Sequence, residues 1–408
     1  MRLASPTAFL LLAGLLSQPL AARAQQDEPE TRAEVLARAR EQKQREAEPY
    51  EQNAVERGMI LAERRIMPLL NRDGIYARMG SLTTGSGFAY GGGYRDRSLV
   101  RGRGRLDLWA AASLKRYWAL EARGGYPLTS DDRVVLEGHV RRFAAPHEEY
   151  FGIGPDAARA DQVVYDFRGT TTGTDVSVAL DRHVSFGGGV SYLRHETGAA
   201  DSDSLRSIER VFDLLDAPGL GVPQRMIQTS ANLTYDYRQP INARRGGFYR
   251  LDLSRYSDRT NGSSSFTRID LDLRQYVSFL SERRVLAGRA VVTTTDVERG
   301  NTIPFFMLPS LGGNDTLRGF RAHRFRGPHA LLLQGEYRFE VWSGFDMAIF
   351  ADAGKVAMRR ADIDFQNLEH DIGIGFRFAT DNGVVARVDA AFGSRDGKHV
   401  HVVFGGLF

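Results

Sequence analysis

The sequence predicts an all-β fold: a 16-stranded antiparallel transmembrane β-barrel behind a short helical or disordered periplasmic segment. Three observations lead there. Segment after segment alternates polar and apolar residues for ten positions or more, longer than the usual globular strand. No run past the N-terminus approaches the roughly 18 apolar residues of a membrane helix. The chain also opens with an export signal, and its apolar faces carry Tyr and Phe near their ends, as interfacial girdles do.

Residues 1–24 read as a secretory signal peptide. Arg2 supplies the positive start, Ala8 to Leu16 the apolar core, and Ala22-Arg23-Ala24 the small-x-small cleavage site. Its removal takes away Arg2 and Arg23, so the formal charge falls from +4 to +2, too modest a balance to argue for nucleic acid. Residues 25–72 are charged, Gly-free at first and helix-favouring, and read as a periplasmic linker or short helix.

From Asp73 to Phe408 the period is two. Gln228, Ser230, Asn232, Thr234 and Asp236 share one face, and Ile227, Leu233 and Tyr235 the other. Arg268, Asp270, Asp272 and Arg274 alternate with Ile269, Leu271 and Leu273, and Asp371 and Arg377 alternate with Ile372, Ile374, Phe376 and Phe378. Strands are expected to begin near Ile75, Gly87, Arg105, Tyr117, Arg133, Asp161, His183, Met226, Phe248, Phe266, Val285, His329, Phe345, Asn367, Gly383 and Lys398. The first, Ile75 to Thr84, has the least regular apolar face, which predicts weak pairing with the last. The longest loops are expected over Ala145 to Ala160, Thr197 to Arg225 and Gly300 to Gly327, all on the extracellular side, with both barrel ends in the periplasm.

The chain contains no cysteine, which excludes thiol catalysis, disulfides and thiolate metal sites. It has no Gly-x-Ser-x-Gly elbow, and pairs such as His183 with Ser185 carry no specific signal, so no enzyme is expected. His399 and His401 share a strand face, but two histidines alone are a poor metal site. Gly85 to Arg95 lacks the Lys-Ser/Thr ending of a phosphate loop, and its glycines suit strong curvature or a weakly packed strand instead. No motif calls for a cofactor.

One stretch stands apart: LGGNDTLRGFRAHRFRG, Leu311 to Gly327, polar and basic among alternating strands. It resembles a loop of the BamA/TamA-like outer-membrane barrel superfamily, also called the bacterial surface antigen family. That loop carries a Val-Arg-Gly-Phe/Tyr core after a Gly-Gly pair. Here the core is Leu317-Arg318-Gly319-Phe320, with Leu for Val, after Gly312 and Gly313. GEYRFE (Gly335 to Glu340) and FADAGKV (Phe350 to Val356) are similar to the two strands that follow the loop, and YFGIGPDA (Tyr150 to Ala157) to an earlier loop.

The resemblance, over about Ile75 to Phe408, implies a loop folded into the barrel with its arginine on acidic wall residues. Parity puts Glu336 and Asp352 on the inner face of their strands, within reach of Arg318. The stretch is therefore expected to be an internal latch with a solvated basic tail. The resemblance also implies a last strand, carrying Phe404 and Phe408, that acts as an outer-membrane targeting signal. It implies a role in inserting or transporting polypeptides at a lateral seam, with outer-membrane lipid and client outer-membrane or secreted proteins as partners. Such proteins usually carry periplasmic POTRA domains, for which residues 25–71 are too short, so a periplasmic partner would supply client capture. The alternatives are a passive channel, a lipid-related barrel or a barrel-embedded hydrolase.

Overall fold

The computed structural model describes Arg38 and residues 72–404, except 203, 240–242, 281–282, 343, 381–382 and 394. The expected signal peptide, the expected linker apart from Arg38 and Arg72, and Phe408 lie outside the described residues.

Sixteen strands form one antiparallel sheet in chain order. The first eight are β1 (Gly74–Gly80), β2 (Ala89–Ser98), β3 (Gly104–Ser113), β4 (Trp118–Pro127), β5 (Val134–Tyr150), β6 (Val163–Ala179), β7 (Val184–Ala199) and β8 (Gln224–Asp236). Then come β9 (Gly246–Asp258), β10 (Phe266–Phe279) and β11 (Arg284–Val297). Two short strands, β12 (Ser310–Leu311) and β13 (Phe325–Arg326), pair with each other inside the following loop. The sheet resumes with β14 (His329–Trp342), β15 (Phe345–Ala357), β16 (Glu369–Thr380), β17 (Gly383–Gly393) and β18 (Gly397–Phe404). The predicted fold class is borne out, and no predicted strand start is more than two residues from the observed one.

Alternation fixes which way each strand faces. Leu120, Leu136, Val140, Phe186, Tyr192, Leu233, Leu251, Ile349, Ile372 and Ile374 are exposed on the outside, where a bilayer's hydrocarbon would cover them. Their neighbours in sequence point inward, and among them Gln334, Glu336, Arg338, Asp352, Asp371, Arg377, Arg387 and Asp389 are buried. The interior is thus polar and ionic, the reverse of a soluble protein's core. Short turns close one end of the barrel; the long connections 151–162, 200–223 and 298–328 gather at the other.

Two boundaries differ from expectation. The first strand stops at Gly80 rather than running to Thr84, because residues 82–86 fold into a loop in which buried Ser86 Oγ accepts from Leu82 N (3.0 Å) and Thr83 N (3.3 Å). The loop expected from Ala145 is still strand as far as Tyr150. A bulge between Ala145 and Glu148 lets β5 bend and continue, which strict alternation could not register.

The barrel is nearly closed. β1 and β18 face each other: a Cβ built at Gly80 would lie 3.7 Å from Cβ of Phe404, and the Phe88 and Phe404 rings meet edge-on at 5.3 Å. Yet among the described residues no hydrogen-bonded ladder joins the two strands.

Candidate functional site

Residues 312–324 leave β12, turn inward and return through β13. The Gly-Gly pair makes the turn possible. Gly312 and Gly313 have φ of +115° and +103°, and a Cβ at Gly312 would lie 2.2 Å from the Arg321 carbonyl oxygen. Gly312 N donates to Thr316 Oγ1 (2.8 Å), and Gly313 N donates to the carbonyls of Leu317 and Phe320 (both 3.1 Å). Leu317 and Phe320 pack with Leu311, Phe325, Ala330, Leu332 and Val356, and the Phe320 and Phe325 rings meet edge-on at 5.3 Å. That small core holds the loop in shape.

With the loop so held, Arg318 lies fully buried against the inner wall. Its Nε and Nη2 donate to the two oxygens of Asp352 on β15, both at 2.7 Å, a bidentate pair. Nη1 reaches Glu336 of β14 at 3.2 Å and Asp389 of β17 at 3.5 Å. The guanidinium lies 3.5 Å over the Phe350 ring, which adds a cation–π contact on the face the carboxylates leave open. The Arg318 carbonyl accepts from His401 Nε2 of β18 at 2.7 Å, which sets that histidine's tautomer.

The wall around Arg318 is a network. Glu336 also accepts from Arg338 Nε (2.6 Å) and from Arg377 (2.7 and 3.1 Å), while Asp389 forms ion pairs with Arg387, whose Nε lies 3.1 Å away, and with Arg377. Alternation put Arg338 and Arg377 on polar strand faces without assigning them to the site, and Arg387 and Asp389 were not named by sequence reasoning. The signal existed: Arg387 and Asp389, two apart on a strand, must share the inner face. A buried charge without a partner is expensive, so the network stands or falls as a unit.

Gly319 lies where the loop touches the wall. A Cβ there would come within 2.5 Å of Asp371 Cβ and 2.6 Å of Gly393 N, and a Cβ at Gly393 would lie 2.1 Å from the Gly319 carbonyl. Gly319→Ala should therefore push Arg318 off its carboxylates. The expected loss is about 1–3 kcal/mol, read as an earlier urea unfolding midpoint in lipid vesicles.

The basic tail is not solvated, contrary to expectation. Arg324 and Arg326 are buried, with Arg324 Nε on Asp396 at 3.2 Å and Arg326 near the Tyr165 hydroxyl (3.4 Å) and the Phe305 carbonyl (3.5 Å). His323 lies 3.2 Å from Glu148 and Arg321 3.7 Å from Glu149, both on β5. The cause is a roof that strand parity cannot reveal. Tyr150, Val163, Tyr165, Ile208, Ala217 and Phe305, drawn from strand ends and long loops, form one apolar cluster above the lumen. Gly154 of the YFGIGPDA stretch donates its N–H to the Arg326 carbonyl at 2.7 Å, so the two segments most like the family's loops meet in space.

The Arg-Gly-Phe loop thus reaches strands on opposite sides of the barrel, from Glu148 on β5 to Asp352 on β15. Solved structures of similar fold include BamA from Haemophilus ducreyi lacking POTRA domains 1–3, at 14% identity and a TM-score of 0.61, covering 82% of this chain and 70% of that one. CdiB from Escherichia coli aligns at 12% identity with a TM-score of 0.53, over 82% of this chain and 62% of its own. The chain therefore spans less than two thirds of the CdiB structure it matches. No curated protein matches the chain in sequence. The description of the Omp85 superfamily domain matches residues 101–397, well over half the chain. With its outward apolar strands and buried ionic lumen, this outer-membrane β-barrel belongs to the Omp85 superfamily.

Proposed function

We propose that this barrel assists the insertion or transport of polypeptides at the outer membrane, working at the seam between β1 and β18. In this reading Arg318 latches the inward-folded loop, with Gly319, Phe320, Glu336 and Asp352 as its fittings. The observation that carries the proposal is that, among the described residues, no ladder joins two strands that lie side by side. Two unpaired strand edges within a bilayer are a template on which an incoming strand can form backbone hydrogen bonds. The bond from His401 to the Arg318 carbonyl ties the latch to the seam strand itself. Likeness in fold to BamA and CdiB supports the assignment to this class. Clients and a periplasmic partner for their capture belong to the same proposal, as does a targeting role for the last strand with Phe404 and Phe408.

A cross-link tests the seam. The native chain has no cysteine, and the Cβ separation of 3.7 Å between positions 80 and 404 matches that of a disulfide. Oxidised Gly80→Cys/Phe404→Cys should fail to speed the folding of a β-barrel client into vesicles, and reductant should restore it. Gly80 has φ of +144°, so the single Gly80→Cys variant carries the same backbone strain without the bond and serves as control. Full activity with the disulfide formed would refute a role for seam opening.

A further inference from the structure

We propose that the outer wall of the barrel, across β4 to β8 at the long-loop end, binds the phosphate groups of an outer-leaflet lipid headgroup. The site centres on a groove of about 610 Å³ on the outside of the sheet, lined by Arg116, Trp118, Arg142, Arg168 and Arg194 with Asp166 and Glu196, and Arg225 of β8 adjoins it beside Arg194.

Register puts the cations in a row. Arg142 of β5 lies opposite Thr170 of β6, Thr170 opposite Arg194 of β7, and Arg194 opposite Arg225 of β8. The Arg225 carbonyl accepts from N of Arg259, the residue just past the end of β9, which continues the row. One step nearer the loops, Trp118, Ala144, Arg168 and Glu196 form the adjacent row. All of these point outward, because they share parity with exposed Leu120, Val140, Val176, Tyr192, Leu233 and Tyr235.

Arg142 stands eight residues beyond Val134, where β5 leaves the short-turn end, roughly 26 Å along the strand. At a strand tilt of about 40° this is about 20 Å of height, most of the roughly 25 Å apolar band of such barrels, so the row lies toward its far side. Trp118 in the groove is the residue type that anchors at that level.

Charge makes the row a binding site rather than a decorated rim. Arg168 is paired with Asp166 at 2.8 Å, and Arg194 with Glu196 at 2.7 Å. Arg116, Arg142, Arg225 and Arg259 have no carboxylate partner among the described residues. Like charges along one row repel, and an arginine beside hydrocarbon is costly unless an anion meets it. The guanidinium fork suits a phosphate oxygen pair, and Arg142 and Arg225, three strands apart, stand about 14 Å from each other, a span for two phosphates at the ends of one disaccharide headgroup. The lumen latch uses none of these residues.

The test uses the full chain in detergent micelles, with native mass spectrometry counting bound glycolipid. The probes are a bis-phosphorylated acylated disaccharide and the same glycolipid with both phosphates removed. The phosphorylated form should bind at least about tenfold more tightly, and its affinity should fall as salt rises. Arg142→Ala/Arg225→Ala should remove most of that difference, Arg142→Lys/Arg225→Lys should keep part of it, and Arg182→Ala, in a turn at the other end, should keep all of it. Equal binding of the two glycolipids by the wild-type protein would overturn the proposal, and this comparison decides even where the double alanine variant fails to fold. Displacement by stoichiometric inorganic phosphate would assign the site to the free anion and overturn the lipid reading. An effect of Arg182→Ala equal to that of the pair would show a general charge effect, and would overturn it too.

Discussion

Arg318→Ala should convert a barrel of low, flickering conductance into one with large, steady channels in a planar bilayer. The wild-type loop reaches from Glu148 on β5 to the β14–β18 wall, and Arg318 is its fully buried polar contact there. Alanine removes the bidentate pair to Asp352 and the contacts to Glu336 and Asp389 at once. It also leaves Asp352 without its strongest cation, a loss of about 3–5 kcal/mol for breaking one side of a buried pair. The sheet itself keeps its ladders, so the energy is lost from the loop's docking and not from the barrel. Arg318→Lys should fall between the two, since an ammonium keeps the charge but cannot fork across both oxygens of Asp352. Large steady conductance of the wild-type protein would end the latch proposal and favour a passive channel.

The strands were legible because their cause is local. Each alternates for longer than chance would sustain, and turn residues punctuate them, so even β16 and β17, which are rich in glycine, emerge in place. Parity also put Glu336 and Asp352 inward from sequence alone, and the structure sets both beside Arg318. What parity could not give was anything that depends on curvature or on loop packing. Gly91 and Gly93 of β2 read as residues for strong curvature or a weakly packed strand, with no partner to say which. In the fold, a Cβ at Gly93 would lie 2.5 Å from the Tyr76 ring, so the glycines let β1 and β2 close tightly. Arg324 and Arg326 looked solvated because the roof that buries them is assembled from distant aromatic residues. Asp389 lies 71 residues from Arg318 in sequence and joins it only when β17 takes its place in the wall.

Glu336→Gln should cost the barrel more than Asp352→Asn, although Asp352 makes the closer contacts with Arg318. Asp352 neutralises one arginine, whereas Glu336 serves Arg318, Arg338 and Arg377 together. Glutamine fills the same space, so packing changes little and the loss is electrostatic. Its amide also turns an N–H toward guanidinium groups that have only donors to offer. Three buried cations would lose a carboxylate at once, so the penalty of about 3–5 kcal/mol for one broken buried pair becomes a lower bound. Urea unfolding from lipid vesicles should show the Glu336→Gln midpoint well below that of Asp352→Asn, with conductance raised in both. Adding Arg318→Ala to each variant completes two cycles. The Arg318→Ala/Glu336→Gln double variant should lose less than the sum of the two single losses, because each single change already breaks the contact they share, and a purely additive result would show that they do not act as one network.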